Sequence, residues 1–221
     1  MNGIELGTVL TVNVTKIIHE GPWTGSVGKT GIDKRPVVGP VLFADNCVAG
    51  DSILDRKVHG GYDAAVYAYA REDADWWEQE LSRPVTNGKF GENLTTEGID
   101  VNGATVGEHW IIGEVILEVS QPRIPCRVFA GFWDRPELIK EFLAAKRPGA
   151  YLRIIKEGNI SAGDSIEIID RPSHAVTIRD LFEAKSGERA KIREIAALTT
   201  LSPSWREWID KLTLSNHFPV I

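Results

Sequence analysis

The residue best suited to chemistry in this sequence is Cys126, within Gln121-Pro122-Arg123-Ile124-Pro125-Cys126-Arg127. Pro122 and Pro125 fix φ and remove two backbone donors, so the stretch is stiff and unsuited to a central ladder. Arg123 and Arg127 flank the thiol. Guanidinium groups near a cysteine favour the thiolate, the form that acts as nucleophile or metal ligand. The same residues also describe a buried structural cysteine with two surface arginines, the commoner fate of a lone cysteine. The other cysteine, Cys47, lies in Phe43-Ala44-Asp45-Asn46-Cys47-Val48 without such neighbours and reads as structural.

Two further clusters could bind a ligand. In Arg56-Lys57-Val58-His59-Gly60-Gly61-Tyr62-Asp63, adjacent glycines allow positive φ and a close approach of backbone N–H groups to an anion. His59 could donate to a phosphate or carboxylate there, or simply cap a tight turn. Lys89-Phe90-Gly91-Glu92-Asn93-Leu94 reads as a turn entering a strand, with Asn93 the polar group most able to meet a ligand edge. Neither a Walker motif nor a dinucleotide fingerprint occurs.

The elements that must position these residues are mostly strands. Gly7–Val14 alternates as a half-buried strand does, and 64–69 is short, apolar and aromatic. Residues 110–119 read as strand broken at Gly113; Tyr151–Ile155 and Ser165–Ile169 complete the set. Short strands with Gly-rich turns point to an antiparallel barrel or sandwich. Helices are expected over Arg71–Leu81 and Pro136–Lys146, the latter with Leu138, Phe142 and Leu143 on one face. Beyond Arg171-Pro172 the pattern turns helical. Thr177 to Asp180 fits a capping box, Ala190–Leu198 a second helix, and Ser202-Pro203 the start of a third. Trp205 and Trp208 fall at a helical spacing that suits core better than interface.

Composition narrows the function classes. The 221 residues carry 25 basic and 31 acidic side chains, a formal charge of −6, which argues against a nucleic-acid or membrane-surface binder. The sequence shows no signal peptide and no apolar run of the ~20 residues that a membrane span needs. Two cysteines suit neither a disulfide framework nor a paired-cysteine zinc site, so reduced thiols and a cytoplasmic location are expected.

Taken in order, Thr30-Gly31-Ile32-Asp33-Lys34-Arg35-Pro36-Val37, Gly50-Asp51, His59-Gly60-Gly61 with 65–69, Phe90-Gly91-Glu92-Asn93-Leu94, and the Cys126 segment resemble a MOSC domain. MOSC denotes the domain found at the C-terminus of molybdenum-cofactor sulfurases. The spacing is similar to the standalone YiiM-like subgroup, and the resemblance runs from about Gly7 to Leu212. It implies a mainly β, α+β chain: a MOSC-type β-barrel with peripheral helices over 1–172 and a three-helix C-terminal domain over 173–221. It further implies a barrel that holds a molybdenum cofactor (Mo-molybdopterin), with Cys126 as sulfur ligand to the metal.

Plausible anchors for the cofactor's phosphate are then Lys34, Arg123, Arg153 and the backbone at Gly60 and Gly61, with His59 and Asn93 positioning cofactor or substrate. The implied activity is reduction of N-hydroxylated compounds such as hydroxylaminopurines and amidoximes. Electrons would come from a separate flavin or iron–sulfur reductase, and a homodimer is compatible with the sequence. Where the family often has a lysine after the Asp that follows Gly-Gly, this chain has Ala64, leaving Arg56 or Lys57 to substitute. Two rival readings stay open: a sulfur carrier taking persulfide sulfur on Cys126 from a pyridoxal-phosphate-dependent desulfurase, and a non-catalytic module that associates through its tail.

Overall fold

The computed structural model describes residues 6–55 and 60–214. The alternating N-terminal segment does form a strand, longer than expected: β1 runs Leu6–Glu20. Its register slips between Val9 and Thr11, so that Val9 and Val12, three residues apart, are both fully buried. A strand with such bulges can serve two partners. The first half of β1 pairs antiparallel with β6 (Leu94–Glu97) and β11 (Ser165–Ile169); from Asn13 onward it pairs with β2 (Lys29–Pro36).

The barrel closes through β11, β7 (His109–Ile112), β8 (Val115–Pro122), β9 (Ala150–Lys156), β5 (Val66–Ala70), β6 and β1, seven strands in a ring. Closure leaves no free edge in the ring. Gly113 is the turn between β7 and β8, with φ 59. β3 (Val41–Ala44), β4 (Cys47–Val48) and β10 (Gly158–Ile160) form a separate small sheet. Cys47 is corrected here from a structural residue to an exposed one in the β3–β4 hairpin, its Sγ donating to the Ala44 carbonyl at 3.2 Å.

β5 explains why its sequence is apolar without a polar face. Val66, Ala68 and Ala70 face the barrel core, while Tyr67 and Tyr69 face a second, aromatic layer. That layer is roofed by α1 (Arg71–Leu81), α2 (Arg127–Phe132) and α3 (Leu138–Ala145), which supply Trp77, Phe129 and Phe142. A strand covered on both sides reads as one apolar run.

The tail forms α4 (Ile178–Lys185), α5 (Ile192–Ala197) and α6 (Pro203–Leu214). Thr177 caps α4 as expected: its hydroxyl accepts from the Asp180 amide, and the Asp180 carboxylate accepts from the Thr177 amide. Ile178, Leu181, Ile195, Trp205 and Ile209 share one continuous core with Leu117 and Val119 of the barrel, and Phe182 reaches the aromatic layer. Trp205 is buried and Trp208 packs partly buried beside it, both on the core side as their spacing suggests. No helix among the described residues is long and apolar enough to cross a membrane.

Candidate functional site

The end of β8 delivers Pro122 to the barrel rim, and the chain then runs through Arg123 and Cys126 into α2. Cys126 is the residue that precedes the first turn of α2, extended at φ −132 and ψ 170, and is half-buried. It lines an open cleft at the barrel rim, walled by apolar and aromatic side chains with a few polar groups among them, as small-molecule sites are. β2 contributes Gly31, Ile32 and Lys34 among others to the walls; Ser52 to Asp55, Gly60, Ala64, Tyr67, Phe90, Asn93, Arg123 and Tyr151 are among the other lining residues. Two glycines shape it. Gly60 has φ 77, and a side chain there would meet Ile53 at 2.9 Å; at Gly31 a Cβ would lie 2.3 Å from the Ser52 carbonyl.

Arg123 is the most unusual wall residue. It is 6% exposed, and its Nη1 has no hydrogen-bond partner among the described residues. Its guanidinium rests on Phe129 at 4.1 Å from the ring centre, with Tyr67 at 5.6 Å and Phe142 at 5.8 Å. Burial pulls its pKa down, but Tyr67, Tyr151 and Cys126 around it leave it raised, so the group stays charged. Tyr151 beside it has its phenol pushed up by burial, with the Arg123 charge acting the other way. A buried cation facing a cleft, with no carboxylate partner among the described residues, is arranged to receive an anion.

Lys34 is a different case. Its Nζ lies 2.6 Å from Asp51 Oδ2, with both side chains nearly buried. The Asp51 carboxylate also accepts from the Thr15 amide at 3.1 Å, the Thr15 hydroxyl at 2.8 Å and Asn93 Nδ2 at 2.9 Å. Burial alone would raise Asp51, but Lys34 and these hydrogen bonds hold it below the usual carboxylate range. Asn93 in turn accepts the Tyr67 amide and donates to the Asn13 carbonyl. Lys34 and Asn93 therefore sit in the cleft wall with their strongest contacts already made by protein. Glu92 holds the adjacent turn by accepting from the Gly88 and Phe90 amides and the Thr95 hydroxyl; burial raises its pKa against the pull of those bonds.

Of the expected site residues, Cys126, Lys34, Gly60, Asn93 and Arg123 are brought together around one cleft. Gly61, with φ 79, adjoins Gly60 without lining the cleft. His59, like Arg56 and Lys57, lies outside the described residues. Arg153 does not line the cleft; its guanidinium is held by Asp63, Glu118 and the Thr200 carbonyl. Arg127, the other guanidinium flanking the thiol in sequence, is bonded instead to the Pro22 carbonyl at 2.9 Å. Asp51 and Tyr151 were not foreseen as site residues. Gly50-Asp51 stood among the ordered motifs, and Tyr151 opens the 151–158 stretch that fits the YiiM-like subgroup, so each carried a usable signal.

Among the described residues no group of three or more His, Cys, Asp and Glu is placed to hold a metal ion. A soft thiolate such as that of Cys126 suits molybdenum carried on an organic group that brings further ligands of its own. The half-buried thiol and the buried guanidinium with its unsatisfied Nη1 fit an anionic group of that kind.

A family model described as the MOSC domain matches residues 55–167. The uncharacterized protein YflK of Bacillus subtilis (strain 168) is 33% identical over 207 residues, 91% of this chain and 92% of its own. A protein named "Reductase" from Gibberella moniliformis is 32% identical over 199 residues, 88% of this chain but 35% of that longer protein. Among solved structures, that of YiiM from Geobacillus stearothermophilus matches with a TM-score of 0.78 at 32% identity, covering 93% of this chain and 98% of its own.

Proposed function

This chain belongs to the MOSC domain family, and from that premise we propose that it is a molybdenum-cofactor-dependent reductase of N-hydroxylated compounds. The observation that carries the reading is the pairing, in one cleft, of the half-buried Cys126 thiol with the buried guanidinium of Arg123, whose Nη1 has no hydrogen-bond partner among the described residues. The relative named as a reductase supports reduction over sulfur transfer. Electrons would come from a separate flavin or iron–sulfur protein.

The reaction class is R–NHOH + 2 e⁻ + 2 H⁺ → R–NH₂ + H₂O, in which the N–O bond breaks and the oxygen leaves as water. A bound molybdenum cofactor would supply the two-electron redox chemistry. The protein's part is binding and orientation. Cys126 would ligate the metal, and Arg123 would neutralise an anionic group beside the thiol. The Asp51–Lys34–Asn93 network fixes the relation of β2 to the turn at 90–93, so that the walls are set before the ligand arrives. Tyr67, Phe90 and Tyr151 give the cleft planar, apolar surfaces that exclude water and suit a flat ring system.

The test is to purify the protein from a cofactor-competent host and measure molybdenum, pterin and hydroxylaminopurine reduction with an artificial electron donor. Cys126→Ala should lose metal and activity together. Full metal content and unimpaired reduction in that variant would sink the assignment. Persulfide on Cys126 after desulfurase treatment, without bound molybdenum, would replace it with sulfur carriage.

A further inference from the structure

Arg153 joins three separated parts of the chain. It is 6% exposed; its Nε donates to Asp63 Oδ1 at 2.8 Å, its Nη1 donates to Glu118, and its Nη2 donates to the Thr200 carbonyl at 2.8 Å. A rigid fork of donors can satisfy three acceptors at once, which an ammonium cannot do with the same geometry. What sets it apart from an ordinary buried ion pair is where its partners lie. Asp63 sits in the 3-10 turn Tyr62–Ala64, which opens at Gly61, and Gly60 and Ala64 on either side line the cleft. Thr200 belongs to the connection between α5 and α6.

The same connection grips the opposite wall. Ser202 donates to Gln121 Oε1 at 2.6 Å, and Gln121 immediately precedes the segment that carries Arg123 and Cys126. Arg206 of α6 ties the connection down by donating to the Ala196 and Leu198 carbonyls. Residues 200–202 thus hold both the Gly60 side and the Cys126 side of one cleft, although none of them lines it.

We propose that the docked helical tail is part of the cleft's machinery, and that Arg153 is its positioning residue: through Asp63 and Thr200, with Ser202 on Gln121, it sets the separation of the Gly60–Ala64 turn from the Arg123–Cys126 segment. The consequence for ligand retention rests on the cofactor reading above; the mechanical coupling does not.

Two measurements on the full-length protein separate them. Backbone hydrogen exchange is followed in cofactor-free Arg153→Lys, using the Ala64 amide, which donates to the Gly61 carbonyl at 3.1 Å, as the local probe. Pterin retained per protomer is then measured after expression in a cofactor-competent host. The coupling predicts faster exchange confined to 60–66 and 198–203, and a fall in retained pterin of about tenfold, the scale typical of supporting-residue changes. Unchanged exchange at 60–66, or a loss of protection spread evenly over the barrel, overturns the proposal. Should Arg153→Lys fail to fold, Asp63→Asn, which leaves the Glu118 and Thr200 contacts in place, is read by the same two outcomes. If wild type retains no pterin, the cofactor reading falls, while the exchange result still decides the coupling.

Discussion

Replacing Arg123 by methionine distinguishes a guanidinium kept for binding from one kept for stability. The structure gives Arg123 no ion pair among the described residues and leaves Nη1 without a hydrogen bond. Removing such a group relieves a buried unsatisfied donor, about 1–3 kcal/mol. It forfeits the contact with Phe129 at 4.1 Å, about 2 kcal/mol for a desolvated cation–π pair. Methionine fills part of the space, and its sulfur regains ~0.3–1.5 kcal/mol against Phe129 and Phe142. These terms sum to between about −0.7 and +2.5 kcal/mol, centred on the stabilising side, whereas breaking a structural buried pair costs about 3–5 kcal/mol. Urea unfolding followed by tryptophan fluorescence resolves the two, since at a slope of about 2 kcal/mol/M the structural case moves the midpoint down by roughly 1.5 M or more. Arg123→Met should instead keep or raise the midpoint while pterin retention falls by at least about tenfold. A large downward shift with pterin retention intact would refute the reasoning and make Arg123 a core residue.

Asp51→Asn should be costly where Arg123→Met is not, because it strands the nearly buried Lys34 ammonium and replaces an acceptor of four hydrogen bonds; about 3 kcal/mol at neutral pH is expected from urea unfolding. The Asp51 carboxyl is held below its ordinary pKa, so its contribution is complete above about pH 4 and fades as the pH falls through the folded-state value. The difference between wild type and Asp51→Asn should therefore narrow in acid, and a gap that stays constant from pH 7 to pH 3 would show that ionisation is not its source. Thr177→Ala removes one half of the capping box at the start of α4 and should lower stability by about 1 kcal/mol in the same assay, without changing pterin retention.

The architecture was largely legible because its strands and helices carry their own periodicity. β1, the β7–β8 hairpin split at Gly113, and α4 with its capping box follow directly from local pattern and turn chemistry. What escaped were elements whose reason is tertiary. β3, β4 and β10 are two to four residues long and exist through one another's ladders. α2 follows two prolines and contains Gly131, so local propensity argues against it; Phe129 buried in the aromatic layer holds it in place. β1 overruns its expected end at Val14 because β2, read as a motif and not as a strand, gives its second half a partner.

The candidate site shows a sharper limit, since a sequence records which side chains are cationic but not which carboxylate each one meets. Lys34, Arg123 and Arg153 look alike as prospective phosphate anchors. In the fold, Lys34 is matched by Asp51, and Arg153 by Asp63 and Glu118. Among the described residues, Arg123 alone of the three has rings and the Cys126 thiol around it and no ion pair with a carboxylate. A buried cation paired with a carboxylate inside the protein has little free energy left to offer a ligand, whereas one without a carboxylate becomes less costly to bury when an anion arrives. Anion affinity in this cleft should therefore follow Arg123 first, with Lys34 and Arg153 acting through the walls they hold.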